Sequence, residues 1–262
     1  MLKLIAPLAV ALALAGAPLA AQAAEVTWFG HAAFKIVTPE GKVIVIDPFI
    51  TGNPTTPEAM KNLDALGQVD LILVTHGHGD HLGDTAAIAA KTGAKVAVHA
   101  DMGSTLQALG IIPKESLIRF NKSGPITPLE GVTVIMVHAE HGSSIMHNDQ
   151  VHPGGEPVGF IVELSDGKTF YHAGDTGVFA DMAFIGSYYQ PEVAFLPIGG
   201  HFTMDPAHAA YATRELLQPD TVMPIHYGTN PMIKGTPDEF KAALGDWSGE
   251  LVVLQPGETR TF

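Results

Sequence analysis

The chain has 262 residues, 46% of them hydrophobic, which is enough to form the core of one large α/β domain. It contains no cysteine, which excludes disulfides, thiolate metal ligands and a thiol nucleophile. Its formal net charge of −13 argues against nucleic acid as a partner, because phosphate backbones are bound by basic surfaces.

The first 23 residues have the pattern of a secretory signal peptide. An early lysine precedes an alanine- and leucine-rich stretch that ends at Ala21-Gln22-Ala23, a typical cleavage site. A membrane anchor is the alternative, but Gly16 and Pro18 interrupt the apolar stretch before it reaches the roughly 20 residues that a membrane span needs. We predict cleavage after Ala23, one folded domain over residues 24–262, and a periplasmic or secreted protein without a stable membrane anchor.

The rest of the chain alternates between strand and helix patterns. Three β-branched and aromatic runs predict an antiparallel meander with a turn at PEGK: VTWFG, AFKIVT and KVIVID. The apolar run DLILVT, a helix near 83–92 and a strand at 95–99 predict a βαβ unit. Further strands are predicted at residues 115–120, 132–138, 158–164 and 169–173.

A second βαβ unit repeats this pattern. The run EVAFLPIGGHFT predicts a buried strand that ends in a loop with glycine and histidine, and the helix PAHAAYATRELL and the strand TVMPIHY follow it. The repetition predicts two similar halves that divide near residue 155. Two facing mixed β-sheets with outer helices, an α/β fold of the αβ/βα sandwich type, would bury the apolar strands of both halves.

Residues that can bind metal gather at the predicted strand ends. Ligands of α/β folds bind where the carboxyl ends of strands meet. The residues at those ends are His76, Asp175, His201 and His226.

The loop after DLILV carries the densest set, in the pattern H-x-H-x-D-H. A helix cap with solvated histidines would explain one Asp-His pair, but not four ligand-type residues after a buried strand. His76 and His78 leave the same side of an extended chain, whereas Asp80 and His81 enter the helix and point elsewhere. One short loop can therefore serve two metal ions, which bind about four ligands each and can share a hydroxide and a carboxylate.

Six motifs in order resemble the metallo-β-lactamase superfamily: WFGHAAF, VIVIDPF, LVTHGHGDHLGDT, YHAGDTG, LPIGGHFTM and PIHYGT. Within it, the chain is most similar to a branch of metal-dependent hydrolases related to the ascorbate-phosphate lactonase. The resemblance covers nearly all of the mature chain and implies an αβ/βα sandwich with a two-metal site.

The resemblance also implies a ligand set. The first ion would be bound by His76, His78 and His141. The second ion would be bound by Asp80, His81 and His226, and Asp175 would bridge the two ions. A bridging hydroxide would complete each shell. His141 comes from the motif AEHGSS; His138, at the end of a predicted strand, is the alternative, and the motif match favours His141.

Four residues near the ligands are expected to have further roles. His31 and Asp47 match family motifs and would orient ligand imidazoles through hydrogen bonds; burial with only backbone partners is the alternative. Asp80, besides binding metal, would accept the proton of the attacking water. His201 would face the substrate and donate to the oxyanion or leaving group, or else brace its loop.

The remaining histidines are expected to be structural or solvated. His172 is out of register with the bridging aspartate, so packing or orientation of a ligand is expected. His99 and His208 are expected to be ordinary core or surface residues. His147 and His152 lie in a segment without clear periodicity, which predicts a loop.

These features predict a metal-dependent hydrolase in which a hydroxide bound by two metal ions attacks an ester, lactone or amide carbonyl of a small molecule. Phosphate groups normally meet Arg or Lys, but Lys234 is the one basic residue near the predicted rim, which favours a neutral or weakly anionic substrate. The alternatives are a phosphoester or phospho-lactone hydrolase and a non-catalytic periplasmic metal-binding protein. The two divalent ions would be zinc, while manganese, iron or nickel suit the same donors. The sequence does not indicate an oligomeric state.

Overall fold

A computed structural model describes residues 23–262, so the predicted signal peptide, apart from Ala23, lies outside the described residues. The described chain forms two seven-stranded β-sheets and a two-stranded hairpin. Helices cover the outer face of each large sheet, while the inner faces share one apolar layer. This is the predicted αβ/βα sandwich.

The elements are as follows. The strands are β1 (Glu25–Gly30), β2 (Ala33–Val37), β3 (Val43–Ile46), β4 (Leu71–Leu73), β5 (Lys95–His99), β6 (Leu117–Phe120), β7 (Ile126–Leu129), β8 (Val132–His138), β9 (Ser144–His147), β10 (Gln150–Pro153), β11 (Val158–Leu164), β12 (Thr169–His172), β13 (Val193–Pro197), β14 (Thr221–Ile225), β15 (Glu250–Leu251) and β16 (Thr259–Thr261). The α-helices are α1 (Gly79–Leu82), α2 (Thr85–Thr92), α3 (Ala100–Ala108), α4 (Met182–Phe184), α5 (Pro206–Tyr211) and α6 (Pro237–Leu244). α4 and α5 continue as π-helical segments, Ile185–Tyr189 and Ala212–Leu217, and short 3₁₀ turns cover Glu58–Met60, Leu63–Leu66 and Lys114–Ser116. Over the described residues, no helix combines the length and apolar character that crossing a membrane requires.

The first sheet has the strand order β16-β1-β2-β3-β4-β5-β6. β1, β2 and β3 pair antiparallel and form the predicted meander, and β3 to β6 run parallel. β4 and β5 are neighbours connected through α1 and α2, which confirms the first βαβ unit.

The second sheet has the order β15-β14-β13-β12-β11-β8-β7. β13 and β14 run parallel and are connected through α5, which confirms the second βαβ unit. Because β12, β13 and β14 are all parallel, their carboxyl ends meet at one edge of the sheet.

The predicted division near residue 155 is wrong. The chain passes from the first sheet to the second at residues 121–125, between β6 and β7, because β8 pairs with β11 along its whole length. β16 then returns to the first sheet beside β1. The repeated pattern revealed the βαβ units but not the sheet that the antiparallel strands join.

Residues 144–153 form the hairpin β9–β10 rather than the predicted loop. Its turn residues, Asn148 and Asp149, have φ angles of 50° and 59°, the left-handed geometry that suits the twist of a tight hairpin. His152 pairs with Ile145, and His147 with the first residue of β10. Both histidines therefore lie on the hairpin face that carries the buried Ile145.

Apolar side chains alternate between the layers. On β2, Phe34 and Ile36 point into the layer between the sheets, whereas Ala33 packs toward the outer helices. The ring of Phe34 lies 4.4 Å from that of Phe195 on β13. Such contacts hold the two sheets together and fix the relative position of their strand ends.

Candidate metal centre

The predicted ligands come from loops at one edge of the sandwich. His76 lies shortly after β4, Asp175 shortly after β12, and His226 directly after β14. His31 lies in the turn between β1 and β2, and His141 follows β8. Both sheets therefore supply side chains to the same place.

His76, His78 and His141 form the first cluster. One ring nitrogen of each lies within 4.8 Å of those of the other two. Nε2 of His76 is 3.0 Å from Nδ1 of His78. His138, the alternative to His141, instead has its Nε2 3.3 Å from a carboxylate oxygen of Glu140. The structure thus brings together the three residues that the resemblance implies for the first ion.

His31, Asp80, His81 and His226 form the second cluster, with one donor atom of each within 4.8 Å of the others. The three residues implied for the second ion are present, and His31 is additional. Its Nε2 is 3.0 Å from Oδ2 of Asp80, and its ring centre is 3.9 Å from that of His226. His31 therefore contacts a predicted ligand, as an orienting residue would.

Asp175 lies between the two clusters. Its Oδ2 is 3.0 Å from Nε2 of His226 and 3.5 Å from Nε2 of His141. Its Oδ1 is 3.3 Å from Nε2 of His81. The carboxylate contacts one histidine of the first cluster and two of the second, which is where a bridging carboxylate was predicted.

Several of these atoms are buried without a hydrogen-bond partner. They are Nε2 of His81, Nε2 of His141, Oδ1 of Asp175 and both ring nitrogens of His226. The atoms approach one another closely but not in hydrogen-bonding geometry, and each unpaired buried polar group costs about 1–3 kcal/mol. A divalent cation would pair with them, and imidazole and carboxylate donors without thiolate suit zinc, manganese, iron or nickel. The residues present therefore fit divalent metal ions.

Asp47 fixes the orientation of His81. Its fully buried carboxylate accepts a hydrogen bond from Nδ1 of His81 at 2.8 Å, which leaves Nε2 facing Asp175. The same carboxylate accepts from the backbone N–H and the hydroxyl of Thr75, at 2.7 and 2.6 Å. Oγ1 of Thr75 is also 3.0 Å from Nδ1 of His76, so this support reaches the first cluster. Asp47 thus has the contacts predicted for an orienting residue.

Burial and charge set the protonation of these groups. Burial lowers the pKa of the three histidines of the first cluster, which favours the neutral form that binds metal. Burial alone would lower the pKa of His81, but the charges of Asp175 and Asp47 outweigh it and raise this pKa well above its usual value. Burial would raise the pKa of Asp175, but His226 and His81 hold it well below the usual range.

His31 lies between Asp80 and Thr229. Its Nδ1 is 2.7 Å from Oγ1 of Thr229. Burial lowers the pKa of His31 to about 4. Burial would raise the pKa of Asp80, but the hydrogen bond from His31 and the charge of His81 lower it below its usual value. At pH 7 a neutral imidazole therefore contacts an ionised carboxylate.

Two glycines allow the ligand loops to pack closely. Gly174 has a φ of 61°, and a Cβ there would lie 2.8 Å from Cβ of Thr75. A Cβ on Gly77 would lie 2.8 Å from Cγ1 of Ile145 on the hairpin. The N–H of Gly77 also donates to Oγ of Ser143 at 3.2 Å. The loop of the first cluster is thus held against the hairpin.

His201 is exposed and belongs to neither cluster. Its φ of 64° is a strained, left-handed conformation for histidine. Together with Lys234 it lines a cavity of about 770 Å³ between the loops that follow β13 and β14. The N–H of Met204 donates to the carbonyl of Thr176 at 3.0 Å, which connects the His201 loop to the Asp175 loop.

Three other histidines have structural or surface positions, as expected. Nε2 of His172 is 3.0 Å from the carbonyl of Ala32, inside the sandwich. His99 caps α3 with its side chain. His208 is exposed, 3.0 Å from a carboxylate oxygen of Asp205.

Sequence reasoning missed two polar residues near the centre, Thr75 and Thr229, and a third polar residue, Lys122, beside His138. Thr75 and Thr229 stand inside quoted motifs, next to or near a predicted ligand, and this proximity could have identified them. Nζ of Lys122 is 2.6 Å from Glu156 and 3.4 Å from Nδ1 of His138. Lys122 is distant in sequence from every motif, so no pattern pointed to it.

Comparison with known proteins supports the same family. The family model of the beta-lactamase superfamily domain matches residues 42–227. A UPF0173 metal-dependent hydrolase from Polaromonas sp. strain JS666 is 54% identical over 91% of this chain and 89% of its own length. A relative with the same description from Cupriavidus necator is 49% identical over 95% of this chain and 89% of its own length. The solved structure of Igni18, a metallo hydrolase from Ignicoccus hospitalis, is 39% identical, covers 91% of this chain and 98% of its own, and has a TM-score of 0.79.

The family model spans every predicted ligand from His76 to His226, and the relatives cover more than nine tenths of the chain. They confirm the resemblance seen in the motifs and the fold that it implied. The chain therefore belongs to the beta-lactamase superfamily and, within it, to the UPF0173 metal-dependent hydrolases.

Proposed function

We propose that this hydrolase uses two divalent ions to cleave an ester, lactone or amide of a small, neutral or weakly anionic molecule outside the cytoplasm. The observation that carries the proposal is the position of Asp175, whose two oxygens contact histidines of both clusters. A single-ion site would need only one of the clusters.

The residues that would hold the ions follow from these contacts. The first ion would be held by His76, His78 and His141, the second by Asp80, His81 and His226, and both by Asp175. When bound, two such ions lower the pKa of a shared water and stabilise negative charge that develops on a carbonyl oxygen. Asp47 would keep Nε2 of His81 directed at its ion, since its carboxylate holds Nδ1.

Two residues would handle protons and substrate. Asp80, whose Oδ2 is held by His31, would accept the proton of the attacking water through the same carboxylate that binds the second ion. His201, on the wall of the cavity between the loops that follow β13 and β14, would donate a proton to the leaving group. Its strained backbone supports a functional rather than a purely structural role.

The charges near the centre support a neutral substrate. Lys234 is the cation of the cavity wall, and Lys122, which does not line that cavity, forms an ion pair with Glu156 at 2.6 Å. The protein is already strongly acidic, and loss of the leader with its lysine would make it more so. A phosphorylated substrate would meet this negative field with little compensation other than the ions.

Two alternatives remain distinguishable by experiment. A phosphoester or phospho-lactone hydrolase would use Lys234 and the ions to bind phosphate. A non-catalytic periplasmic metal-binding protein would bind the ions without turnover; membership of a group of metal-dependent hydrolases argues against it.

The test combines metal analysis with a substrate panel. We expect protein purified without added metal to hold close to two transition-metal ions per chain, with zinc as the main metal and manganese, iron or nickel as the other outcomes. Turnover, measured as kcat/KM at fixed metal and ionic strength, should favour neutral lactones and aryl esters over phosphodiesters. A preference for phosphorylated substrates that disappears in Lys234→Ala would favour the phospho-lactone alternative.

Export of the protein is tested by cell fractionation. Osmotic-shock fractionation should release the protein, and N-terminal sequencing should begin at Ala24. A protein that stays in the cytoplasm with an intact leader would contradict this part of the proposal.

A further inference from the structure

Thr229 and His31 form a hydrogen-bonded chain that ends at Asp80. Oγ1 of Thr229 is 2.7 Å from Nδ1 of His31, and Nε2 of His31 is 3.0 Å from Oδ2 of Asp80. His31 is only 3% exposed. Within residues 23–262, neither the His31 ring nor the Asp80 carboxylate has another side-chain hydrogen bond.

The chemistry of Asp80 fixes the direction of its hydrogen bond with His31, and the single N–H of a neutral imidazole then fixes the direction of the bond with Thr229. An ionised carboxylate can only accept, so Nε2 of His31 must donate. A neutral imidazole carries one N–H, so Nδ1 is then an acceptor, and the hydroxyl of Thr229 must donate to it. Asp80 thus selects the Nε2–H tautomer of His31, and the hydroxyl of Thr229 pairs the remaining ring nitrogen.

The backbone around this hydrogen-bonded chain of side chains is held by hydrogen bonds from both sheets. The N–H of His226 donates to the carbonyl of His31 at 3.0 Å, and the indole N–H of Trp28 donates to the same carbonyl at 3.1 Å. His31 and His226 both have a left-handed φ of 55°. Because Thr229 follows His226 in the same loop, its hydroxyl and the His31 ring are held at a fixed separation.

We propose that Thr229 is a positioning residue of the metal centre: its hydroxyl pairs with Nδ1 and holds the His31 ring in place, so that Nε2–H holds Asp80 with one oxygen free for the second ion. This inference rests on the proposed two-ion function. It also separates His31 from the ligands, because a ring whose Nε2 carries a hydrogen toward Asp80 cannot bind an ion through that nitrogen.

The test measures metal affinity rather than activity. Chelator-treated wild type, Thr229→Val and Thr229→Ser are titrated with zinc chloride by isothermal titration calorimetry. Valine keeps the shape of threonine and removes the hydroxyl, so the second zinc ion should bind about 10- to 100-fold more weakly while the first is unchanged. Serine keeps the hydroxyl and should bind as wild type does.

A matched control separates positioning from stability. Thr259→Val also removes one hydroxyl hydrogen bond, the 2.8 Å contact with Thr27, at the far edge of the first sheet. It should lower the Tm in thermal unfolding without changing either zinc affinity. If Thr229→Val behaves as this control does, the hydroxyl has only a structural role and the proposal is refuted.

Substitutions of His31 decide between positioning and ligation. The amide of Gln can donate to Asp80 but is a poor metal ligand, so His31→Gln should keep more second-ion affinity than His31→Ala. Equal, complete loss in both variants would show that His31 is a ligand and would overturn the proposal. If wild type binds fewer than two zinc ions, the two-ion function fails together with this inference. If wild type and Thr229→Val both bind two zinc ions with equal affinities, this inference fails alone.

Discussion

The orienting role of Asp47 can be tested by Asp47→Asn, which keeps the size of the side chain and removes its charge. Asparagine also tolerates the left-handed backbone of this position, where φ is 46°. Oδ2 of Asp47 accepts from Oγ1 of Thr75 at 2.6 Å and from Nδ1 of His81 at 2.8 Å. An amide nitrogen in its place is a donor and cannot accept either bond.

The expected loss of stability follows from these contacts. Two hydrogen bonds to a charged group, worth about 1.5–3 kcal/mol each, are lost, and rotation of the Thr75 hydroxyl recovers one neutral bond of about 0.5–1.5 kcal/mol. We expect the metal-free protein to lose about 2–5 kcal/mol in its free energy of unfolding. If His81 instead accepts from the new amide at Nδ1, its proton moves to Nε2, and the second ion should bind about 10- to 100-fold more weakly.

The assay pairs urea unfolding of the metal-free protein with calorimetric zinc titration. Asp70→Asn is the control, because the carboxylate of Asp70 accepts a single backbone hydrogen bond, from Val43 at 2.8 Å, outside both clusters. It should change stability slightly and zinc affinity not at all. A stability loss in Asp47→Asn with both zinc affinities unchanged would refute the orienting role and leave Asp47 as a purely structural carboxylate.

Three further predictions concern the same centre. Asp175→Ala removes the carboxylate that contacts both clusters, so metal content and hydrolysis should fall together, whereas His152→Ala on the hairpin should leave both nearly intact; equal behaviour would contradict the separation of site from hairpin histidines. Because the pKa of His81 is raised, the ring is protonated at pH 7 without metal, and binding of the second ion should release roughly one proton, measured by titration in buffers of different ionisation enthalpy. Gly174→Val forces a Cβ to within 2.8 Å of Thr75 at a positive φ, so the Tm should drop clearly, and an unchanged Tm would show that the loop can move.

The sequence predicted those parts of the molecule in which neighbours in the chain are also neighbours in space. The βαβ units and the loop from His76 to His81 are local, so periodicity and spacing were sufficient. Asp175 and His226 could be placed because parallel strands bring their carboxyl ends to one edge. The resemblance then chose His141 over His138, and the structure places His141 in the first cluster.

The features that were missed depend on pairing between distant segments. The sequences of β7 and β8 do not show that β8 pairs with β11. The boundary between the two halves of the chain was therefore predicted at the wrong residue. The hairpin β9–β10 has exposed apolar residues, Met146 and Val151, on its outer face, which hid its alternation. The roles of Thr229 and Lys122 arise only when the loops that carry them meet other loops.

The position of the centre also bears on how this chain is held together. The first cluster takes His76 from a loop of the first sheet and His141 from a loop of the second, and the second cluster joins His81 to His226 in the same way. With the proposed ions bound, each would cross-link segments far apart in sequence, which a chain without cysteine cannot do by disulfides. Binding only to the native state adds about 2.7 kcal/mol when free metal is a hundredfold above its Kd. The unpaired buried atoms that weaken the metal-free centre would then become the contacts that fasten the two sheets, so catalysis and stability would depend on the same ions.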